Sequence, residues 1–522
     1  MRAQPNLPRL VLIFFLSVAS FIGYLTAQDY GSSWDELGIY DYSDQMLAAY
    51  DFVSHPWDFE SQVSDPLLNL YGPSHFMIST LLSRFINAAD KSWTLYEAHH
   101  LIYFLTFLLG SPILYSLCLR WMSEWAALGV ALLFSTQPLF WGNAFINPKD
   151  TPFMVFFTAS MYFGLQMMDG PPPSIWWKTI LAGVVLGLTT SMRSLGPLAG
   201  MIVILYGLWK DTRKTLRIVP FYGIVTMVVT YFTWPHLWGA PVSRFFESLL
   251  IMSQHPMDFG VLFMGDLYSA DQMPFLYFPI LVALQLTLST LFLILFGAVL
   301  SFRSFFKGGG KEPVLLFGTW FLAPALAVIL IGSTIYDNAR QLYFLLTPLF
   351  IFAGIGLDAL LSRIKTPLWK AALIAALILP GVYANIRLHP YQYIYYNELV
   401  GGVGGAFRKF DLDYSGTSFK EAQEYINANS EPDTKTFVVT GPRHLSRIYI
   451  RPSLKNNLLG IFDTIEPNDP EYYYVLLLTR ANMDLNICTN GEIVYSVERD
   501  GGVLAYIRKI QSKEPCWAKP QD

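Results

Sequence analysis

Hydrophobic runs of membrane-spanning length recur in this 522-residue chain from Leu10 to about Ile386, and they restrict most of it to a bundle of membrane helices. In hydrocarbon a backbone N–H or C=O has no water to bond, so an unbroken apolar run of this length folds as a helix. Composition agrees: 53% of residues are hydrophobic and only 14% charged, against about 25% charged in an ordinary soluble chain. The expected spans are 10–27, 98–119, 125–141, 152–168, 176–192, 196–209, 218–235, 275–301, 314–332, 341–360 and 368–386. Residues 395–522 have ordinary polarity and read as a small soluble α/β domain after an all-α membrane domain, 1–394. No basic tract accompanies the net charge of -4, so no nucleic-acid partner is expected. Three cysteines exclude a disulfide scaffold and a cysteine-rich metal site. Cys488 and Cys516 both fall in the soluble part, and spacing alone leaves their pairing open.

Charge sets the expected orientation. Arg2 and Arg9 precede the first span. Arg120, then Lys210, Arg213, Lys214 and Arg217, then Arg303, Lys307 and Lys311, and finally Arg363, Lys365 and Lys370 fill alternate connectors. The positive-inside rule puts these in the cytoplasm, with 28–97, 142–151, 236–274, 333–340 and everything after 387 outside. Leu67 to Ala88 also passes for a span, but it contains Arg84, and an arginine at a span's centre costs about 2.5–3.5 kcal/mol on insertion scales. Counting it would also invert every later connector. It is therefore expected to lie in the outer interface or to pack re-entrantly. The first span has the basic start of a signal but a poor cleavage site, so it is expected to stay as an anchor.

The chemistry gathers on the outer side. Asp35 and Glu36 follow the first span, in Ser33-Trp34-Asp35-Glu36-Leu37. Asn147-Pro148-Lys149-Asp150-Thr151-Pro152 lies where the third span gives way to the fourth. Carboxylates at a membrane face are costly to bury and point to function. Each has a plainer reading as well: Glu36 closes a Ser-x-x-Glu capping box, Asp35 is a first-turn acid, and Asp150 caps the next helix. From Ser33 a helix is expected on the bilayer surface, with Ile39, Tyr42, Met46, Tyr50 and Val53 on one face and Asp41, Asp44 and Asp51 on another. Phe245, Phe246, Leu249 and Leu250 give a second surface helix, which carries Arg244. Arg193 and Arg340, both at outer turns, read either as headgroup anchors or as guanidinium clamps for a phosphate.

Together these segments resemble the polyprenyl-phosphate-sugar-dependent GT-C glycosyltransferases, in their protein O-mannosyltransferase-like and aminoarabinose-transferase-like branch. The likeness covers roughly 1–400. It rests on Trp34-Asp35-Glu36 with Gln45-Met46-Leu47, on Tyr71-Gly72-Pro73-Ser74-His75-Phe76, on Asn147-Pro148-Lys149-Asp150-Thr151-Pro152-Phe153, and on Tyr336-Asp337-Asn338-Ala339-Arg340-Gln341. This chain lacks the basic residue directly before the loop proline and has Gln341 where histidine is common in the family.

The resemblance implies a GT-C membrane fold with about eleven spans and outer surface helices. It implies an inverting transfer of sugar from a polyprenyl-phosphate donor to a hydroxyl acceptor on a protein, lipid or glycan. The expected place is the outer face of a bacterial or archaeal plasma membrane. Asp35 is then the expected base, with Glu36 and Asp150 as further catalytic candidates. Lys149, Arg193, Arg340, Arg244 and His75 are the donor-phosphate candidates. No structural metal is expected; a divalent ion shared by Asp150 stays open. The other classes are a transporter, which would need ionisable groups at mid-membrane, and a non-catalytic glycolipid-binding protein.

In the tail, strands are expected at Lys435–Thr440, Tyr472–Thr479, Glu492–Glu498 and Val503–Lys509, with a turn at Arg499-Asp500-Gly501-Gly502. A helix should open at Ser418 and end near Asn427. Gly401 to Gly405 follows no strand, so it reads as a hinge rather than a nucleotide loop. Nothing in this tail reads as catalytic.

Overall fold

The computed structural model describes residues 7–52, 59, 62–63, 65–170, 175–254, 260–463, 465, 470–511 and 516. Arg2 and Val53, used above, lie outside the described residues. Each expected span coincides with a helix or a broken pair. These are α1 (Leu7–Thr26), α4 (Leu95–Cys118), α5 and α6 (Glu124–Ser135, Pro138–Ile146), α7 (Asp150–Asp169), α8 (Ile175–Thr190), α9 (Pro197–Lys210) and α10 (Thr212–Thr233). After them come α12 and α13 (Tyr277–Gln285, Leu288–Phe306), α14 (Lys311–Ile331), α15 (Thr347–Leu361) and α16 (Pro367–Arg387). Six are long and apolar enough to cross a bilayer unaided, and Asp337–Leu345 with α15 makes a seventh bent by 63°. α1 leaves Ile13, Phe14, Phe21 and Leu25 exposed, and α16 leaves Leu368, Trp369, Leu379 and Ile386 exposed. Such apolar outer faces suit lipid rather than water.

The helix breaks are satisfied by side chains, as a water-free interior requires. Gln137, just before α6, donates to the Gln285 carbonyl at 2.9 Å. Asn397 donates to the carbonyls of Ala283 and Leu286 at 2.7 and 2.8 Å. Close packing of α13 on α15 depends on Gly297, where a Cβ would stand 1.7 Å from the Phe352 carbonyl oxygen.

The segments expected on the outer side differ in part from expectation. α2 (Glu36–Ala48) forms, but its face of Ile39, Tyr42 and Met46 is buried against Leu68, Tyr71, Phe76 and Met77 rather than laid on lipid. Its partner α3 (Ser74–Ala89) buries Ser79, Thr80 and Ser83 and exposes Ile78, Leu81, Leu82 and Phe85. The troublesome Arg84 is paired with Asp44 at 2.7 Å. α11 (Pro241–Ser253) exposes Val242, Phe246 and Leu250 as an outer amphipathic helix should. Sequence periodicity missed a two-stranded hairpin, β1 (Gly260–Phe263) with β2 (Asp266–Ser269), because four-residue strands carry too little pattern.

After α16 the chain folds a five-stranded sheet ordered β4-β3-β5-β7-β6. Its strands are β3 (Lys435–Val438), β4 (Leu458–Gly460), β5 (Tyr472–Leu478), β6 (Glu492–Arg499) and β7 (Gly502–Gln511). Asp500 and Gly501 take the left-handed conformation that the tight β6–β7 turn requires. The expected glycine hinge is instead a short helix, Gly402–Ala406, with Val403 and Ala406 buried. Ser418 makes no cap to the helix at Phe419–Asn429, and Glu421 turns to Tyr391, Tyr495 and Arg499. Cys488 and Cys516 are joined as a disulfide, Cα–Cα 4.9 Å.

Candidate active site

Five segments meet at one end of the helix bundle. They are the α1–α2 loop, the α6–α7 junction, the α8–α9 turn, the turn before α15, and the loop after β5. They place Asp35, Lys149, Asp150, Arg193, Asp337, Arg340 and Arg480 in one continuous ion-paired network. A second cluster, Arg120 with Asp169 and Glu312 and Lys210 with Glu312, lies at the opposite ends of the same helices. Ionic groups thus occupy the two ends of the bundle, and the network that includes Asp35 surrounds a cavity of about 340 Å³.

Arg340 organises the network. Its Nη2 donates to Asp35 Oδ2 at 2.9 Å and its Nη1 to Asp150 Oδ2 at 3.2 Å. Its Nε and Nη2 donate to Asp337 Oδ2 at 3.3 and 3.1 Å. Lys149 Nζ reaches the same Asp35 oxygen at 2.8 Å. One carboxylate oxygen therefore faces two cations. The backbone that aims Arg340 is strained: Asp337, Asn338 and Ala339 have φ of 49, 57 and 55, all in the left-handed region. Each such residue costs about 1–3 kcal/mol and persists only where its surroundings hold it. Here Asn338 donates to the Asp411 carbonyl at 3.0 Å and accepts from the Tyr396 hydroxyl at 3.2 Å.

Asp150 is 2% exposed, pairs with Arg193 and Arg340, and accepts from Asn147 Nδ2 at 3.1 Å. Lys149 is the N-cap of α7 without a side-chain cap bond, and Asn147 Oδ1 accepts the backbone N–H groups of Lys149 and Asp150 at 3.1 and 2.8 Å. Asp150 and Arg193 stand behind the cavity wall, whereas Asp35, Lys149, Arg340 and Asp337 line it. Arg193 lies over the rings of Tyr71 and Phe153. Glu36 adjoins Asp35 in sequence, but its fully buried carboxylate turns away. It accepts from Ser32, from the Ser33 backbone N–H and from Tyr40, and it meets His100 Nε2 at 3.0 Å. Only half of the expected capping box forms, because the Ser33 hydroxyl donates to the Ile146 carbonyl instead. His75 contacts Thr106 at 3.2 Å, and Arg244 donates to the His236 carbonyl at 2.7 Å; neither lines the cavity.

Asp337 and Arg480 complete the network and were not among the expected site residues. Asp337 sits in the quoted Tyr336-to-Gln341 motif, three residues before Arg340. Arg480 follows an apolar strand, and only its position at a strand's end hints at a site. Among the described residues no group of three or more His, Cys, Asp or Glu side chains is gathered as metal ligands. The carboxylates of Asp35 and Asp150 already meet lysine and arginine, so this donor set does not fit the divalent ion left open above.

Burial pushes the Asp35 carboxyl up, but Lys149 and Arg340 outweigh burial and hold it well below the usual carboxylate range. A depressed pKa contributes stability above the unfolded value, and that contribution is lost as pH falls through the folded value. Lys149→Met removes one of the two cations, so the acid limb of thermal stability should move to higher pH. Melting temperatures of both proteins from about pH 7 down to about pH 2 check this; superimposable acid limbs would contradict the pairing.

Residues 88–238 match the family model for dolichyl-phosphate-mannose-protein mannosyltransferase. No curated protein matches the chain in sequence. Among solved structures the fold is similar to ArnT from Cupriavidus metallidurans in the apo state, at 14% identity over 95% of this chain and 97% of that one, TM-score 0.53. The same protein bound to undecaprenyl phosphate matches at 15% identity over 95% and 97%, TM-score 0.51. The apo oligosaccharyltransferase of Archaeoglobus fulgidus matches at 11% identity over 90% of this chain and 69% of that one, TM-score 0.53. Identities this low carry the fold, and the family match adds the sequence kinship of the central helices. The chain is an integral membrane protein with the fold seen in ArnT, and its central helices are similar to the dolichyl-phosphate-mannose-protein mannosyltransferase family.

Proposed function

We propose that this chain transfers a sugar from a polyprenyl-phosphate donor to a hydroxyl acceptor, with inversion, in the cavity around Asp35. The observation that carries the reading is the pair of cations on one Asp35 oxygen: Lys149 at 2.8 Å and Arg340 at 2.9 Å. A phosphodiester donor enters with one negative charge and leaves as a phosphomonoester carrying more. Fixed cations stabilise that growing charge best in a site from which water is excluded. Lys149 and Arg340 take this task. Asp150 and Arg193 are positioning groups that hold Arg340 from behind, and Arg244 and His75 have no part in it.

The acceptor oxygen attacks the anomeric carbon, the carbon–phosphate-oxygen bond breaks, and the hydroxyl proton passes to Asp35. The seating of phosphate on Lys149 and Arg340 loosens their hold on Asp35 and makes it a better base as the donor binds. Glu36 supports the fold through Ser33, Tyr40 and His100. The network lies at helix ends rather than at mid-membrane, which disfavours a transporter.

We also infer two domains, 1–394 and 395–522, with the N-terminus in the cytoplasm and the site and C-terminal sheet outside. The Cys488–Cys516 bridge supports this orientation, since disulfides persist in oxidising compartments. A bacterial or archaeal plasma membrane fits the undecaprenyl phosphate bound by the ArnT structure.

Asp35→Asn should lower the turnover of the folded fraction about 10²–10⁴-fold, and its melting temperature should fall as well because Lys149 and Arg340 lose a charged partner. Glu36→Gln should lower the melting temperature and leave the turnover of the folded fraction within a few-fold. The assay is transfer of labelled sugar from polyprenyl phosphate by purified protein; the reverse pattern would make Glu36 the base. For orientation, a membrane-impermeant thiol reagent on intact cells should label Glu431→Cys and spare Arg213→Cys. Labelling of Arg213→Cys alone would invert the topology.

A further inference from the structure

Arg480 follows the β5 strand of the C-terminal sheet by one residue, Thr479, yet its side chain lines the cavity formed by the membrane helices. The Thr479 hydroxyl fixes that strand end by donating to the carbonyls of Val503 and Leu504 at 2.8 and 3.2 Å. Ala481 and Asn482 then take left-handed conformations, φ 51 and 55, which turn the loop back over the membrane domain. From there Arg480 Nη2 donates to Asp337 Oδ1 at 2.7 Å and Nη1 to the Tyr414 carbonyl at 3.2 Å. The guanidinium carbon lies 5.4 Å from the centre of the Trp34 ring, next to Asp35 in the chain.

Asp337 therefore stands between two arginines, one oxygen facing Arg480 and the other facing Arg340. Asp411 locks this arrangement from behind. Its carboxylate accepts the backbone N–H groups of Ala481 at 2.7 Å and Leu262 at 3.0 Å, and its carbonyl accepts from Asn338. The Arg480 loop, the β1–β2 hairpin and the strained turn before α15 thus converge on one residue.

We propose that Arg480 is a positioning residue through which the C-terminal domain sets the active site: by holding Asp337 it fixes how Arg340 is shared with Asp35. Arg340 serves three carboxylates at once. With Arg480 in place, Asp337 has a second cation and competes weakly for Arg340. Without it, a buried and singly paired Asp337 draws Arg340 towards itself and away from Asp35. The catalytic part of this inference rests on the function proposed above, but its electrostatic part does not.

The test compares full-length wild type with Arg480→Met, Arg480→Lys, Asp337→Asn and the Arg480→Met/Asp337→Asn double variant, all in lipid nanodiscs. Arg480→Met should move the acid limb of thermal stability to higher pH, as loss of a cation from Asp35 does, and Arg480→Lys should restore it. Turnover of Arg480→Met should fall about 10²-fold, the scale of a misplaced catalytic group. The double variant should lose no more than the worse single variant, because both act through one partner. Multiplicative losses, or an acid limb and a turnover both unchanged in Arg480→Met, would overturn the proposal. If Arg480→Met does not fold, the Arg480→Lys and Asp337→Asn acid limbs decide: a wild-type limb in Asp337→Asn together with full turnover overturns it. Wild-type protein that transfers no sugar while the acid limb moves as stated would refute the function and leave the electrostatic coupling standing.

Discussion

A single guanidinium ties together one end of this membrane bundle. Arg340 bonds Asp35 from the α1–α2 loop, Asp150 from the start of α7, and Asp337 from its own strained turn. A planar fork with five N–H donors can serve three carboxylates, whereas a lysine ammonium cannot do so with the same geometry. Removing one partner from a buried ionic cluster costs about 3–5 kcal/mol, because the other charge is left uncompensated. The left-handed backbone at 337–339 is the conformational cost of aiming this side chain inward.

The same network makes the site a balance between attraction and release. Lys149 and Arg340 quench the basicity of Asp35. In the proposed reaction a donor phosphate competes for those cations and frees the carboxylate as it is seated. Arg480, from the segment after β5, joins this network by pairing with Asp337.

The sequence showed the membrane helices through their length and polarity, and it showed Asp35, Lys149, Asp150, Arg193 and Arg340 as charges at helix ends on one side. Their mutual pairing was not legible, because Arg340 meets Asp35 across 305 residues and Arg480 meets Asp337 across 143. Periodicity identified the apolar face of α2 but not what covers it, since protein and lipid select the same residues. Glu36, His75 and Arg244 have the right residue types near the right motifs. Their side chains turn to Tyr40 and His100, to Thr106, and to the His236 carbonyl. The fold itself is shared with ArnT at 14% identity, which is possible because a helix bundle in lipid needs pattern and packing more than particular residues.

The central claim is that Asp35 and the donor phosphate compete for the same two cations. It is tested most directly by titrating a polyprenyl phosphate into purified wild type and Asp35→Asn and measuring Kd. The account predicts that Asp35→Asn binds as tightly as wild type or more tightly, because Lys149 and Arg340 are released, even though it no longer transfers sugar. Binding that is clearly weaker in Asp35→Asn would contradict it and would make the carboxylate part of the donor seat rather than its competitor.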